Sequence, residues 1–315
     1  MLRDNTVLVF RYTSQALNPA YISIDFMTDH QQLDPIVVRR AFGRAAATYD
    51  SAAVLQSEVR TRLLERLQLV RDAPQTILDL GAGTGFASRE LKKRFRNSEV
   101  IALDFALPML QQARRRQSVF RRFGRVCASA IALPLRDNSI DWCVSNLMLP
   151  WSDVPDPIFA AVNRVLKPNG LFSFTTFGPD TLHELRNAWA KVDRGPHVHR
   201  FIDMHDLGDA LLRAGFAEPV MDVERIVLTY DQLPQLFREL KQTGSTTATL
   251  GRIRHLGSRE LLRALVNAYE PLRSETRLPV TFEIVYGQAW CTEAPTARQS
   301  RPETRIPIAS IGRRN

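Results

Sequence analysis

Residues 76–85 read TILDLGAGTG, and this stretch decides the fold. Its apolar residues end at Leu80, as in a strand that is buried on both faces of a parallel sheet. Glycines follow at positions 81, 83 and 85. A glycine allows a tight turn and lets the backbone approach a ligand with no Cβ in the way. The pattern therefore predicts a strand, a ligand-binding turn and a helix.

A second apolar run, VIALD at residues 100–104, ends in an acidic residue roughly 20 residues after the glycine turn. An acidic residue at the end of the second strand can accept hydrogen bonds from both hydroxyls of a ribose. Asp104 is the candidate for that contact. Together the two runs predict a cofactor that contains adenosine, lying across the carboxyl ends of a parallel sheet.

The glycine spacing and the residue before the turn narrow the choice of cofactor. The glycines follow G-x-G-x-G, whereas dinucleotide sites use G-x-G-x-x-G, and the Lys-Ser/Thr of a triphosphate loop is missing. Asp79 precedes the turn, and a carboxylate there repels phosphate but suits a cation. S-adenosylmethionine (SAM) carries a sulfonium and an ammonium and no phosphate, so it fits this site best. The alternative is a glycine turn in an unrelated α/β protein.

The composition limits the class of protein. The chain has 315 residues, of which 44% are hydrophobic and 24% charged, as in ordinary globular proteins. No apolar run approaches the roughly 20 residues of a membrane span. The three cysteines are odd in number and lack metal-ligand spacing, which favours buried thiols in a reducing compartment and predicts no metal site. The net charge of +9 suggests an acidic partner, either nucleic acid, a membrane surface or a protein.

Strand-like and helix-like segments alternate along the middle of the chain. Strands are expected at 76–81, 99–104, 125–128, 140–146 and 171–177, with helices between them and two helices in 35–70. A further strand over 220–230 and a last one in VTFEIVYGQAW complete the pattern. The alternation predicts a doubly wound, seven-stranded α/β sheet of the Rossmann-like kind with a helical N-terminal cover and inserted helices.

The two ends of the chain lack this periodicity. We expect residues 1–34 to be a disordered or non-native extension, with Met27 as an alternative start, and residues 35–291 to form one methyltransferase domain. Residues 292–315 are rich in Pro, Arg, Thr and Ser and should form a flexible tail.

Five segments outside the glycine turn resemble one enzyme family. They are FGRAAATYD (42–50), SNLMLPW (145–151), AWAKVDRGPHVHRF (188–201), ELKQTGST (239–246) and RLPVTFEIVYGQAW (277–290). Together with the turn, they resemble the malonyl-[acyl-carrier protein] O-methyltransferases within the class I SAM-dependent methyltransferases. The resemblance runs from about residue 35 to 291. It implies a class I sheet with an antiparallel last strand, and methylation of a malonyl carboxylate early in biotin synthesis.

The resemblance also implies the residues of the site. Tyr49 should orient SAM or the carboxylate, Arg238 should hold the carboxylate, and His197 is the one of its two neighbouring histidines that matches the family pattern. Ser129 stands where the family usually has an acidic residue to meet the adenine amine. The predicted cofactor-binding residues are Asp79, Gly81, Ala82, Gly83, Gly85, Asp104, Phe105, Ser129, Ala130, Asn146 and Leu147.

A malonyl carboxylate is ionised at neutral pH, so the reaction needs placement and exclusion of water more than a general base. The resemblance makes acyl carrier protein, an acidic protein, the expected partner of a cytoplasmic enzyme. A basic cluster could serve as its docking surface or be a solvated helix face. The cluster contains Arg114, Arg115, Arg116, Arg121 and Arg122.

Two other functions stay open at this point. FTTFGPDTL at 174–182 is similar to a segment of complex I assembly factors, one of which is considered an arginine hydroxylase, so an activity on an arginine side chain is the alternative. A nucleic-acid methyltransferase is the third possibility. It is disfavoured because SNLMLPW stands where such enzymes carry N-P-P-[YF].

Overall fold

The computed structural model describes residues 8–9, 33–70, 72–193, 195, 197–248 and 259–292. Eight strands form one sheet in the order β1-β4-β3-β2-β5-β6-β8-β7. The strands are β1 (Leu8–Val9), β2 (Thr76–Leu80), β3 (Glu99–Asp104), β4 (Gly124–Cys127), β5 (Ile140–Asn146), β6 (Leu166–Phe177), β7 (Phe216–Tyr230) and β8 (Leu278–Cys291).

The last strand alone runs against its neighbours. Strand β8 pairs antiparallel with both β6 and β7, whereas the pairs from β1 to β6 are parallel. The seven-stranded sheet with an antiparallel last strand is thereby confirmed. The two-residue strand β1 adds an eighth strand, which the sequence analysis did not predict, beside β4.

Ten helices lie around the sheet in the described part of the chain. They are α1 (Pro35–Ala45), α2 (Tyr49–Ala52), α3 (Val54–Arg66), α4 (Phe86–Arg94), α5 (Leu107–Arg116), α6 (Asp156–Val165), α7 (His183–Ala190), α8 (Met204–Arg213), α9 (Leu233–Gln242) and α10 (Arg259–Tyr269). Among the described residues, no helix is long and apolar enough to cross a membrane.

The N-terminal cover begins close to the predicted position. The Asp34 side chain caps α1 by accepting from the backbone N–H of Ile36 at 2.9 Å, and Pro35 takes the first turn, where its missing N–H costs nothing. Leu33 is already buried and its N–H donates to the Asp153 carboxylate. Most of residues 1–34 and 292–315 lie outside the described part, so the expectations for both ends stay predictions.

Apolar layers on both faces of the sheet hold the helices. On one face α3 packs through Val59 and buried leucines. On the other face Phe159 of α6 packs against Phe172 and Phe174 of β6, and its ring centroid lies 5.7 Å from each of theirs. The cavities lie at the carboxyl ends of β2, β3, β5 and β6.

Candidate functional site: a cofactor cleft beside an apolar cavity

The glycine turn joins β2 to α4 and has the backbone conformation that its composition requires. Gly81, Gly83 and Gly85 all have positive φ, at 76°, 54° and 72°. A Cβ on Gly81 would lie 2.4 Å from the Met148 side chain, whereas Gly83 has open space around its Cα. Gly83 therefore leaves room for a ligand, while Gly81 makes room for Met148.

Two connected cavities surround this turn. The larger, of about 220 Å³, is lined by the ends of β3 and β5 and by the loop after β4. The smaller, of about 60 Å³, lies between α3 and the turn. The two share lining residues, namely Tyr49, Gly81, Gly83 and Asn146.

Most of the predicted cofactor residues line this cleft. The larger cavity contains Asp104, Phe105, Ser129, Ala130 and Leu147, and the smaller one contains Asp79 and Ala82. Gly85 lines neither cavity. It begins α4, and a Cβ there would lie 2.8 Å from the Cβ of Ala113, so its role is to let α4 pack on α5.

Asp104 has the geometry of a ribose ligand. One carboxylate oxygen accepts from the Gly83 N–H and the other from the Ala106 N–H, each at 2.8 Å. A carboxylate has about four lone-pair sites, so two remain for hydroxyl donors. Burial raises the pKa of Asp104 to about 6, against the lowering effect of these backbone donors.

The smaller cavity presents a guanidinium and two carboxylates, of which Asp50 is already paired with Arg116. Asp79 is 1% exposed and accepts from the Ser88 hydroxyl, and burial raises its pKa to about 6. Arg60 of α3 lies with its guanidinium carbon 3.6 Å from the centre of the Phe86 ring. Opposite charges on the two walls complement the zwitterionic end of an amino acid, which is the methionine end of SAM. The residues present therefore fit this cofactor, with adenosine on the Asp104 side.

Tyr49 lines both cavities, and its contact with the cofactor stays a prediction. Burial and the nearby Asp104 carboxylate raise the pKa of Tyr49 to about 12. The phenol therefore keeps its proton at neutral pH and can donate a hydrogen bond, but it cannot act as a base.

Position 129 carries no acid, but another loop places one in the same cavity. Asp153 lines the same cavity as Ser129, and its carboxylate accepts from the Leu33 N–H at 2.9 Å. This acid follows β5 rather than β4, so a motif search at the end of β4 does not find it.

A third and larger cavity of about 890 Å³ adjoins the cleft. Helices α1, α3, α7 and α9 enclose it, and its walls are largely apolar, with Phe177, Phe201, Phe237 and Phe282 among them. Two residues connect it to the cleft: Trp151 lines this cavity and the 220 Å³ one, and Gln56 lines this cavity and the 60 Å³ one. We call it the acceptor cavity.

The cations of the acceptor cavity lie on its open side. Arg44, Arg238 and Lys241 line the cavity, and all three are exposed. None of the three forms an ion pair within the described part of the chain. The predicted clamp Arg238 therefore lies in the acceptor cavity with an uncommitted charge.

The two neighbouring histidines differ in their surroundings. His197 stacks on Trp189 with ring centroids 3.5 Å apart and its Nε2 lies 2.6 Å from the Asp193 carboxylate, so it forms a fixed part of the wall. His199 is buried, and burial lowers its pKa to about 4. Its Nε2 has no hydrogen-bond partner among the described residues. No three His, Cys, Asp or Glu side chains in the described part are grouped to hold a metal ion.

The sequence analysis did not identify Gln56, Arg60, Trp151 and Asp153 as site residues. Gln56 and Arg60 lie four residues apart on α3, next to its buried stripe of Leu55, Val59 and Leu63. Polar residues flank the apolar stripe of any amphipathic helix, so this pattern gave no signal that the pair lines a site.

The sheet order, the glycine turn and the carboxylate at the end of β3 define a class I SAM-dependent methyltransferase. The Methyltransferase domain family matches residues 78–174. The YcgJ protein from Bacillus subtilis has the same fold, with a TM-score of 0.53 at 16% identity over 74% of this chain and 98% of that one.

Relatives of known name narrow the class to one family. The malonyl-[acyl-carrier protein] O-methyltransferase of Laribacter hongkongensis is 49% identical, over 87% of this chain and 94% of its own. The enzyme of the same name from Methylovorus sp. is 48% identical, over 89% of this chain and 96% of its own. The chain belongs to the malonyl-[acyl-carrier protein] O-methyltransferase family, and its cofactor is SAM.

Proposed function

We propose that this enzyme transfers the methyl group of SAM to the free carboxylate of a malonyl thioester carried by acyl carrier protein. The observation that carries the proposal is the acceptor cavity: an apolar chamber that adjoins the cofactor cleft and has free cations at its open side. The names of the relatives favour this activity over the alternative on an arginine side chain.

The reaction suits an apolar cavity on electrostatic grounds. SAM supplies an electrophilic methyl group on a sulfonium. The carboxylate oxygen forms a bond to the methyl carbon while the sulfur keeps the electron pair of the broken bond. A cation and an anion thus become two neutral groups, and no proton moves. Removal of water favours such a charge-cancelling step, so the aromatic walls contribute to the rate.

The proposal assigns roles to the residues on each side. Tyr49, protonated at neutral pH, donates a hydrogen bond in the cleft. Arg238 holds the malonyl carboxylate, since a guanidinium fork matches a carboxylate in geometry and charge. Arg44 and Lys241 lie on the same side and add positive potential.

The clamp role makes a kinetic prediction. Arg238→Ala should raise the KM for malonyl-acyl carrier protein about tenfold or more, because a hydrogen bond to a charged group is lost. Arg263→Ala is the matched control, since Arg263 is exposed on α10 and lines none of the cavities described above. If Arg238→Ala and Arg263→Ala had the same KM, Arg238 would not bind the malonyl carboxylate.

The carrier protein requires a basic docking surface, and two surfaces compete for this role. One is the cluster of Arg114, Arg115, Arg116, Arg121 and Arg122; the other is the rim of the acceptor cavity, formed by Arg44 and Lys241. The cluster comprises the last turn of α5 and the segment before β4, and it lines none of the cavities described above. Arg116 of the cluster is also paired with Asp50.

The cavities open at the carboxyl ends of the strands, where the rim lies. The rim borders the acceptor cavity itself and its cations are unpaired in the described part of the chain, which favours the rim over the cluster as the docking surface. We also infer a cytoplasmic location and a role in biotin synthesis, which agree with three buried free cysteines and with the family.

Transfer of labelled methyl from SAM to malonyl-acyl carrier protein, with none to acetyl-acyl carrier protein, tests the function. Label on neither substrate would contradict it.

A further inference from the structure

Gln56 occupies the boundary between the cofactor cleft and the acceptor cavity. Gln56 lines two cavities: the acceptor cavity, and the 60 Å³ cavity that Asp79 and Arg60 also line. Methyl transfer must occur across such a boundary, because the donor lies on one side and the acceptor on the other.

The backbone of Gln56 is held in place by the ends of two strands. Its carbonyl accepts from the Asn146 side chain at 3.1 Å, and the Asn146 oxygen accepts from the Thr175 hydroxyl at 3.0 Å. The Thr175 hydroxyl oxygen also accepts a hydrogen bond from the backbone N–H of Leu147 at 3.0 Å. The first turn of α3 is thereby fixed to β5 and β6 at the carboxyl edge of the sheet.

The side chain of Gln56 has an unmet bonding requirement. Its Oε1 is buried and has no hydrogen-bond partner among the described residues. A buried acceptor without a donor reduces stability, and native proteins keep few such atoms. At a residue that lines two ligand cavities, the missing donor is expected to come from a ligand.

We propose that Gln56 aligns the two reactants, with Oε1 accepting from the cationic methionine end of SAM and Nε2 donating to the carboxylate of the acceptor. The assignment of the acceptor rests on the proposed function. It follows from donor and acceptor chemistry: the methionine end of SAM carries an ammonium donor, and a carboxylate only accepts. A neutral amide offers both groups without repelling either reactant.

Two substitutions separate the two contacts. Gln56→Glu keeps an acceptor for the cofactor but removes the donor and places a negative charge beside the malonyl carboxylate. Gln56→Met has a similar length and offers neither contact. The measurements are the Kd of SAM by calorimetry without acceptor, and kcat and KM for malonyl-acyl carrier protein at saturating SAM.

With Gln56→Glu, the SAM Kd should stay within about twofold of wild type while kcat/KM falls about tenfold or more. With Gln56→Met, SAM affinity and kcat/KM should both fall, by about fivefold or more. Without ligands, Gln56→Met should unfold at a temperature no lower than wild type, because it removes an unpaired buried acceptor. Gln111→Met, on the exposed face of α5, is the control and should change none of these values.

Gln56→Met with wild-type SAM affinity and wild-type kcat/KM would overturn the inference, as would Gln56→Glu with wild-type kinetics on malonyl-acyl carrier protein. A wild-type enzyme that binds SAM but transfers no methyl to this substrate would instead overturn the proposed function. The SAM affinities of the two variants would still test the cofactor contact of Gln56.

Discussion

At the scale of the residue, the cofactor site depends on two carboxylates buried within one cleft. Asp79 and Asp104 are both nearly inaccessible to solvent, and the charge of Asp104 contributes to the raised pKa of Asp79. Without a ligand, burial raises the pKa of both groups to about 6. A cation bound nearby favours the ionised form, so cofactor binding and loss of protons are linked.

This linkage predicts a pH dependence of cofactor binding. Since the pKa values in the free protein are raised, the carboxylates are ionised at pH 7.5 and become protonated as the pH falls through about 6. The Kd of SAM should therefore rise by about tenfold for each group between pH 7 and pH 5. Calorimetry of the wild type and of Asp79→Asn checks this, with circular dichroism to verify folding.

Asp79→Asn should bind SAM more weakly than wild type at pH 7.5 and show a smaller pH dependence. A wild-type affinity that is constant from pH 7.5 to pH 5 would contradict the role of the buried carboxylates.

At the scale of the element, the glycine turn combines two different tasks. Gly81 and Gly85 make room for protein atoms, the side chain of Met148 and the Cβ of Ala113, whereas Gly83 borders open space in the cleft. All three have positive φ, so any substitution adds backbone strain. The difference between them lies in what a Cβ would meet.

Gly81→Ala should destabilise the fold more than Gly83→Ala, by about 1–3 kcal/mol more, because it adds overlap in a packed site to the same kind of strain. Gly83→Ala should reduce SAM affinity while leaving the free energy of unfolding closer to wild type. Urea unfolding and SAM titration of the two variants test this. A Gly83→Ala variant less stable than Gly81→Ala would contradict these separate roles of the two glycines.

The strands and most helices could be predicted from sequence because their signals are local. The continuous apolar runs at 76–80 and 99–104, for example, match β2 and β3 closely, and Pro35 marks the start of α1. The start of one late strand was harder to predict: it was expected over 220–230, yet β7 begins at Phe216. Gly215, with φ of 89°, ends α8 and allows that early strand.

Only the part of the site with a local sequence signal could be predicted. Asp79, Asp104 and the glycines belong to a motif with fixed spacing. Gln56, Arg60 and Asp153 come from α3 and from the loop after β5, and only folding brings them to the cleft. The acceptor cavity joins α1, α7 and α9, which are far apart in sequence, so no single pattern indicates its shape.

At the scale of the whole molecule, the excess positive charge includes two separate surfaces. One is the arginine cluster at the end of α5 and before β4, and the other is the rim of the acceptor cavity. Carrier-protein docking requires a charged surface close enough for the tethered substrate to reach the cleft, which the rim satisfies.

Charge reversal distinguishes the two surfaces. The double variant Arg44→Glu/Lys241→Glu on the rim should raise the KM for malonyl-acyl carrier protein about tenfold. Its KM for malonyl-pantetheine should rise less, because that substrate lacks the acidic protein. Arg115→Glu with Arg121→Glu is the matched pair in the cluster and should have the smaller effect. A larger effect from the cluster pair would place docking there instead.

The central claim is that the enzyme forms a methyl ester on the malonyl carboxylate. The most direct test uses SAM with a labelled methyl group, malonyl-acyl carrier protein as acceptor, and mild base treatment of the isolated product. An ester releases its methyl group as methanol under these conditions, whereas a methylated arginine side chain keeps it. We predict label on the malonyl group that mild base releases completely; label that resists base, or label on the carrier protein without its malonyl group, would contradict the account.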